Sequence, residues 1–200
     1  MLGMGLGLGL GSNQRRRVIR GAEGSPEILL QTELVHFGDK NNRGVLVTLA
    51  AIPWLEIAQR LGRDPNFLFQ FSQYPRKFEE FIAACYVKAG FDEVTLTPQR
   101  NDRGVDVIAV KKGVGSIRYL DQVKAYKPGH RVSHNDVRAM LGSLSLDPDA
   151  SRGLVTTTST FEPGILKMDG EFSSVLNNTL ELKDGAATLK WIEDLRKQQA

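Results

Sequence analysis

Residues 104–126 read GVDVIAVKKGVGSIRYLDQVKAY, and the fold turns on how they pair. Two apolar runs flank KKGVG, a glycine-rich connection short enough to join antiparallel neighbours. Side chains on a strand alternate between faces, so Gln122 and Lys124 share one face while Asp121, Val123 and Ala125 share the other. The tight connection also brings Asp106, near the start of the first strand, beside the end of the second. A carboxylate in so apolar a strand is costly unless it is paired or holds a cation. Asp106, Gln122 and Lys124 therefore converge as a candidate site, although pattern alone leaves Asp106 open to being a strand-end carboxylate bonded to the amides of NDRG. Lys124 alone is likewise open to being an edge residue that snorkels to water.

Working outward, Phe78, Phe81, Ile82, Cys85 and Ala89 recur at helical spacing from Pro75 until Gly90 ends the run. A strand EVTLT separates this helix from the hairpin. Downstream the pattern predicts a helix near residues 134–145, a strand GLVTTTS, a short helix after Phe161, a strand TLEL and a final helix begun by Asp184. The central order is αβββαβ, an α/β class with a mixed sheet flanked by helices on both faces. Upstream, EILLQTELVHF and GVLVTLAAI read as a β-hairpin about the turn GDKNNRG. Pro53 then opens a short helix closed by Gly62, and Asp64 with Pro65 starts another. Three segments result: a basic Gly/Arg tail at residues 1–25 expected to be disordered, a small lead-in at 26–72, and the main domain at 73–198.

With 200 residues, 41% of them hydrophobic, the chain suffices for one well-buried domain plus appendages. The one cysteine, Cys85, falls in the helical pattern as core filler, so no disulfide framework exists and a reducing, cytoplasmic compartment is the simpler expectation. No apolar run approaches the roughly 20 residues of a membrane span. The opening MLGMGLGLGLGS has its basic residues after the apolar part, which makes it a poor signal peptide, and it lacks the lysine of a phosphate loop. The net charge of +3 resides in residues 1–25, where four arginines face one glutamate. Within the neutral remainder, residues 100–138 hold nine Lys or Arg against four Asp. Such a cluster suits a polyanion.

Two further acids stand on the first helix, where Glu79 is expected at the edge of the buried stripe and Glu80 in water. A carboxylate, an amide oxygen and a second carboxylate are hard ligands of the kind Mg²⁺ accepts. A lysine beside them is a donor for a water or a phosphate oxygen. The set suits phosphodiester hydrolysis. His130 and His134 lie in a polar loop with no third ligand in view, which reads as solvated or phosphate-contacting histidines rather than a zinc site. Thr156, Thr157 and Thr158 read as strand formers, and Trp191 as core.

The segments FEEFIAACYVKAGF, NDRGVDVIAV, DQVKAYKPGHRVSHNDVRAMLG and GLVTTTSTF, in that order, resemble the catalytic domain of Mrr-like restriction endonucleases in the PD-(D/E)xK nuclease superfamily. The resemblance spans roughly residues 73–195. It implies the restriction-endonuclease-like fold, with Asp106 as main metal ligand, Gln122 where most of the superfamily has Glu, Lys124 as catalytic lysine and Glu79 as helix acid. Asp106, Gln122 and Glu79 would bind Mg²⁺, or Mn²⁺ in its place. DNA is the implied partner, touched by Arg103, Lys127, Arg131 and Arg138, and a homodimer is one assembly to test. Arg103 where the family often has Gly, and Gly164 where a small residue such as Ala is common, remove no site group. The expected activity is restriction of foreign or modified DNA. Two readings compete with it: a DNA-binding module that kept the fold and lost cleavage, and a junction or RNA nuclease.

Overall fold

In chain order the elements are α1 (Pro26–Gln31), β1 (Val35–Lys40), β2 (Val45–Ala50), α2 (Ile52–Arg63), a 3₁₀ helix (Pro65–Gln73), α3 (Pro75–Lys88), β3 (Glu93–Leu96), β4 (Val107–Lys111), β5 (Ile117–Lys124), β6 (Arg131–Val132), α4 (His134–Leu146), β7 (Arg152–Thr157), β8 (Thr160–Phe161), β9 (Leu180–Lys183) and α5 (Gly185–Lys197). The structure, a computed structural model, describes residues 26–50, 52–99, 104–167 and 169–198. The tail at 1–25 and Arg103 lie outside the described residues. Among the described residues no helix is long and apolar enough to cross a membrane.

The hairpin forms as the sequence requires, with Val107 opposite Asp121 and Lys111 opposite Ile117. It stands at the centre of a seven-stranded sheet of order β1-β2-β3-β4-β5-β7-β9. Pairing is antiparallel from β1 to β5, then parallel from β5 through β7 to β9. The change falls at β5 because its five-residue link to β4 permits only a reversal, whereas β7 is reached by a crossover through α4. Alternation along the strands then builds two cores. Val107, Ala109 and Val123 pack with Phe78, Phe81 and Ile82 of α3. Ile108, Leu120 and Val155 pack with Val137 and Met140 of α4.

The lead-in corrects one expectation. Residues 26–31 are helix rather than strand, since Pro26 suits the first turn of a helix and its apolar run is too short to show a period. The hairpin proper, β1 and β2, joins the main sheet through pairs Val45–Leu96 and Leu46–Thr95. A Cβ at Gly44 would stand 2.0 Å from the Leu96 carbonyl oxygen, so only glycine lets β2 begin this close to β3. Arg43, in the β1–β2 turn, and Arg118 of β5 both reach Asp147 at the end of α4, tying the lead-in to the far side of the domain.

Trp54 and Ile57 of α2 and Phe71 of the 3₁₀ helix cover the side of α3 that the sheet leaves open. That explains a further correction: Glu80 is buried, not in water, and is paired with Lys77 at 2.8 Å. Beyond Phe161 the expected short helix is replaced by successive turns, closed by bonds such as Lys167 N–H to Gly164 and Ser173 N–H to Gly170. Gly164 adopts a left-handed conformation, φ +96°, which a helix cannot continue through. The two-residue strands β6 and β8, which pair parallel, carry no sequence period.

Cys85 is core, as expected. Burial pushes its thiol up to about 12, against a lowering by the Trp54 indole N–H that donates to its sulfur at 3.4 Å. Folded protein at pH 8 is therefore expected to leave Cys85 unreacted with a disulfide reagent, and denaturant is expected to release one thiol per chain. Prompt labelling of native protein would show that α2 does not seal this side of α3.

Candidate active site

The carboxyl end of β5 is where the sheet changes from antiparallel to parallel pairing. The register and the alternation of β5 put Asp106, Gln122 and Lys124 at that end of the sheet on the α4 face. Asp106 directly precedes β4, and extending the β4–β5 register by one step places it opposite Gln122. Its N–H donates to the Asp121 carbonyl at 2.9 Å, and its Oδ2 accepts the N–H of Val123 at 2.7 Å. Gln122 is 5% exposed, and among the described residues its Oε1 has no hydrogen-bond partner. Leaving a buried amide oxygen unpaired costs about 1–3 kcal/mol, so the orphan calls for an occupant. Gly104, at φ +73°, brings its backbone so close that a Cβ would stand 3.1 Å from Gln122 Nε2, and glycine there keeps the amide in place.

Lys124 closes β5, half-buried, with Nζ 3.5 Å from Oδ1 of Asp136 at the start of α4. Its carbonyl accepts Thr157 Oγ1 at 2.8 Å and the Thr158 N–H at 3.1 Å. Thr158 in turn exchanges two 2.7 Å bonds with Tyr126. The threonines thus do more than favour a strand: they clamp the end of β5 to β7.

Glu79 stands on α3, on the other side of the sheet. Its Oε2 accepts from Arg76 at 2.5 Å, and the same guanidinium nitrogen donates to the Thr97 carbonyl at 3.0 Å. Thr97 bonds the backbone of Val105 and Asp106. Glu79 therefore reaches the same end of the sheet by way of Arg76 and Thr97, not by sharing a face with Gln122. Among the described residues no group of three His, Cys, Asp or Glu is gathered as a metal cluster. The donors on offer are two carboxylates and one amide oxygen, hard oxygens of the kind Mg²⁺ or Mn²⁺ accepts, and the orphaned Gln122 Oε1 fits that use.

Asp121 is a buried acid that alternation places on the opposite face of β5 from Gln122. It faces α3, fully buried, where its Oδ2 accepts from Tyr86 Oη and Thr156 Oγ1, both at 2.8 Å. Burial pushes its carboxyl up to about 6, opposed by Lys183 and by those two hydroxyls. It anchors the strand that carries Gln122 to the helix behind it.

Around the site, Lys127 and Arg131 are exposed on the segment after β5. An open groove of about 560 Å³ lies beside them, lined by Gly129, His130, Arg131, His134, Glu162 and Pro163. His134 Nδ1 lies 2.9 Å from Glu162, and His130 packs edge-on to Tyr126. Arg138 points its fork at Glu171, at 2.6 and 2.7 Å, and bonds Asn135. Arg138, expected to touch DNA, stands in an ion pair with Glu171 here.

A family model for the Mrr catalytic domain, described as restriction endonuclease, matches residues 72–192. No curated protein matches the chain. Among solved structures, the DNA modification-dependent restriction endonuclease AspBHI is similar at 16% identity and TM-score 0.42, over 76% of this chain and 37% of its own. The MspJI restriction endonuclease in complex with a 27-mer oligonucleotide is similar at 17% identity and TM-score 0.38, over 74% of this chain and 31% of its own. The chain thus spans about a third of the length of these two enzymes.

Proposed function

The chain belongs to the Mrr catalytic-domain family of restriction endonucleases, and from that premise we propose that it hydrolyses phosphodiester bonds in DNA with a divalent cation, restricting foreign or modified DNA. The observation that carries the reading is the buried Gln122 Oε1, without a hydrogen-bond partner among the described residues, across the strand from Asp106 and two residues before Lys124. Asp106 and Gln122 would hold Mg²⁺ or Mn²⁺, with Glu79 as the acid at the same end of the sheet. When bound, the cation supplies a Lewis acid for the phosphoryl oxygens. The Val123 N–H holds the Asp106 carboxylate in place, and the Lys124 ammonium would donate to a non-bridging oxygen as charge builds there. Water adds to phosphorus, one P–O ester bond breaks, and the leaving oxygen takes up a proton. Lys127 and Arg131 would contact backbone phosphates, whereas Arg138 would do so only by giving up Glu171.

Incubating purified protein with methylated and unmethylated plasmid, with Mg²⁺ and with chelator, tests this directly. Cleavage confined to the Mg²⁺ arm is expected; binding without cleavage under any divalent ion would favour the silent DNA-binding module. Gln122→Glu adds a charge at nearly the same shape. We expect it to tighten Mg²⁺ on DNA-free protein on the order of tenfold, read by titration calorimetry, and to lower Tm in chelator by crowding two carboxylates. Unchanged Mg²⁺ affinity in that variant would remove Gln122 from the ligand set.

A further inference from the structure

The two oxygens of Asp136 do different things. Oδ2 accepts the N–H of Ser133 at 3.0 Å and its hydroxyl at 2.8 Å, while the Asp136 N–H donates back to Ser133 Oγ at 3.2 Å, a reciprocal cap on the first turn of α4. Oδ1 is left facing Lys124 Nζ at 3.5 Å. The cap therefore holds the carboxylate still whether or not the lysine is near, and presents a fixed negative charge to a flexible four-carbon side chain. A helix cap alone asks for only one acceptor and no charge. Burial raises the Asp136 carboxyl, but the Ser133 N–H and hydroxyl and then Lys124 outweigh it and hold it below the usual range, so it is ionised at neutral pH.

We propose that Asp136 is a positioning residue for cleavage: locked by Ser133, it fixes where the Lys124 ammonium stands at the carboxyl end of β5. The proposal rests on the reading of Lys124 as the group that acts on the scissile phosphate. Asp136 itself touches neither DNA nor cation. It couples the start of α4, delivered by the crossover, to a lysine carried by the hairpin.

Three variants separate positioning from capping. Asp136→Asn keeps an oxygen for the Ser133 donors and loses the charge. Asp136→Glu keeps the charge and supplies the residue commonest at this place in a capping box. Ser133→Ala removes the cap's hydroxyl but keeps the Ser133 backbone N–H on Oδ2 that locks the carboxylate, and so leaves the ion pair. Steady-state plasmid cleavage at saturating Mg²⁺, with DNA affinity by anisotropy and Tm for each variant, gives the readout. Asp136→Asn is expected to lower kcat about 10- to 100-fold with KM and DNA affinity within about twofold, Asp136→Glu to recover most of kcat, and Ser133→Ala to lower Tm by several degrees while kcat stays within about twofold. A kcat for Asp136→Asn within twofold of wild type would overturn the proposal, as would a loss in Ser133→Ala equal to that in Asp136→Asn. Lys124→Ala, run alongside, tells the two readings apart: wild-type cleavage in that variant overturns the site itself, while loss there with normal cleavage in Asp136→Asn overturns the positioning role alone.

Discussion

Lys124→Ala and Asp106→Asn are each expected to reduce Mg²⁺-dependent plasmid cleavage on the order of 10²–10³-fold or more, with DNA still bound. They remove different parts of one reaction: the first takes away the ammonium at the end of β5, the second the negative charge across the strand from Gln122. Asparagine serves better than alanine at position 106 because Oδ2 accepts the Val123 N–H, and removing the acceptor would leave that donor unpaired at a cost of about 1–3 kcal/mol. A loss seen only in Asp106→Ala would then report stability instead of chemistry. Binding should persist because contacts to other phosphates supply most of the affinity, so anisotropy at low salt should change little. Full cleavage by Asp106→Asn would sink the assignment of the site.

Beginning the chain at residue 73 is expected to abolish folding, although the family match starts at residue 72. The cut removes Trp54, Ile57, Leu61, Phe67, Leu68 and Phe71, all buried against α3 and its neighbours. At roughly 1.5–3 kcal/mol for each such side chain, the loss matches or exceeds the roughly 5–15 kcal/mol that holds a domain together. It also strips β2 from β3 and the Trp54 cover from Cys85. Intact protein should give a single calorimetric transition, and the truncated chain should show no transition and prompt Cys85 labelling. A folded, cooperative 73–200 fragment would show that residues 26–72 are a separate module and reopen the search for a DNA reader there.

Much of this was legible because it is local. The spacing of Phe78, Phe81, Ile82 and Cys85 announces α3, and KKGVG between two apolar runs announces the β4–β5 pair that aligns Asp106 with Gln122. Long-range pairing left no such mark. Nothing in residues 45–50 says that they meet residues 95–96, so the lead-in looked like a neighbour of the sheet and not its edge. Ile28, Leu29 and Leu30 form an apolar run too short to distinguish helix from strand, and only Pro26 leaned the right way. Asp136 was within reach: Ser133-His-Asn-Asp136 is a capping pattern at a helix start, but its second oxygen meets Lys124 only once α4 has folded back over β5.

The five-residue link between β4 and β5 also orders events in time. Closing so short a loop costs little entropy, and a hairpin of this kind forms in about 1–10 μs. Acid, amide and lysine are therefore aligned by one of the chain's fastest steps. The pairing of β5 with β7 must wait for the whole crossover, and that of β2 with β3 for a segment of some fifty residues, contacts that set the pace of folding. The counter-charge at Asp136 comes with the crossover. On the function proposed above, a nascent chain would acquire the outline of its site early and its fixed lysine late, and competence for cutting would be tied to completion of the slow, non-local half of the fold.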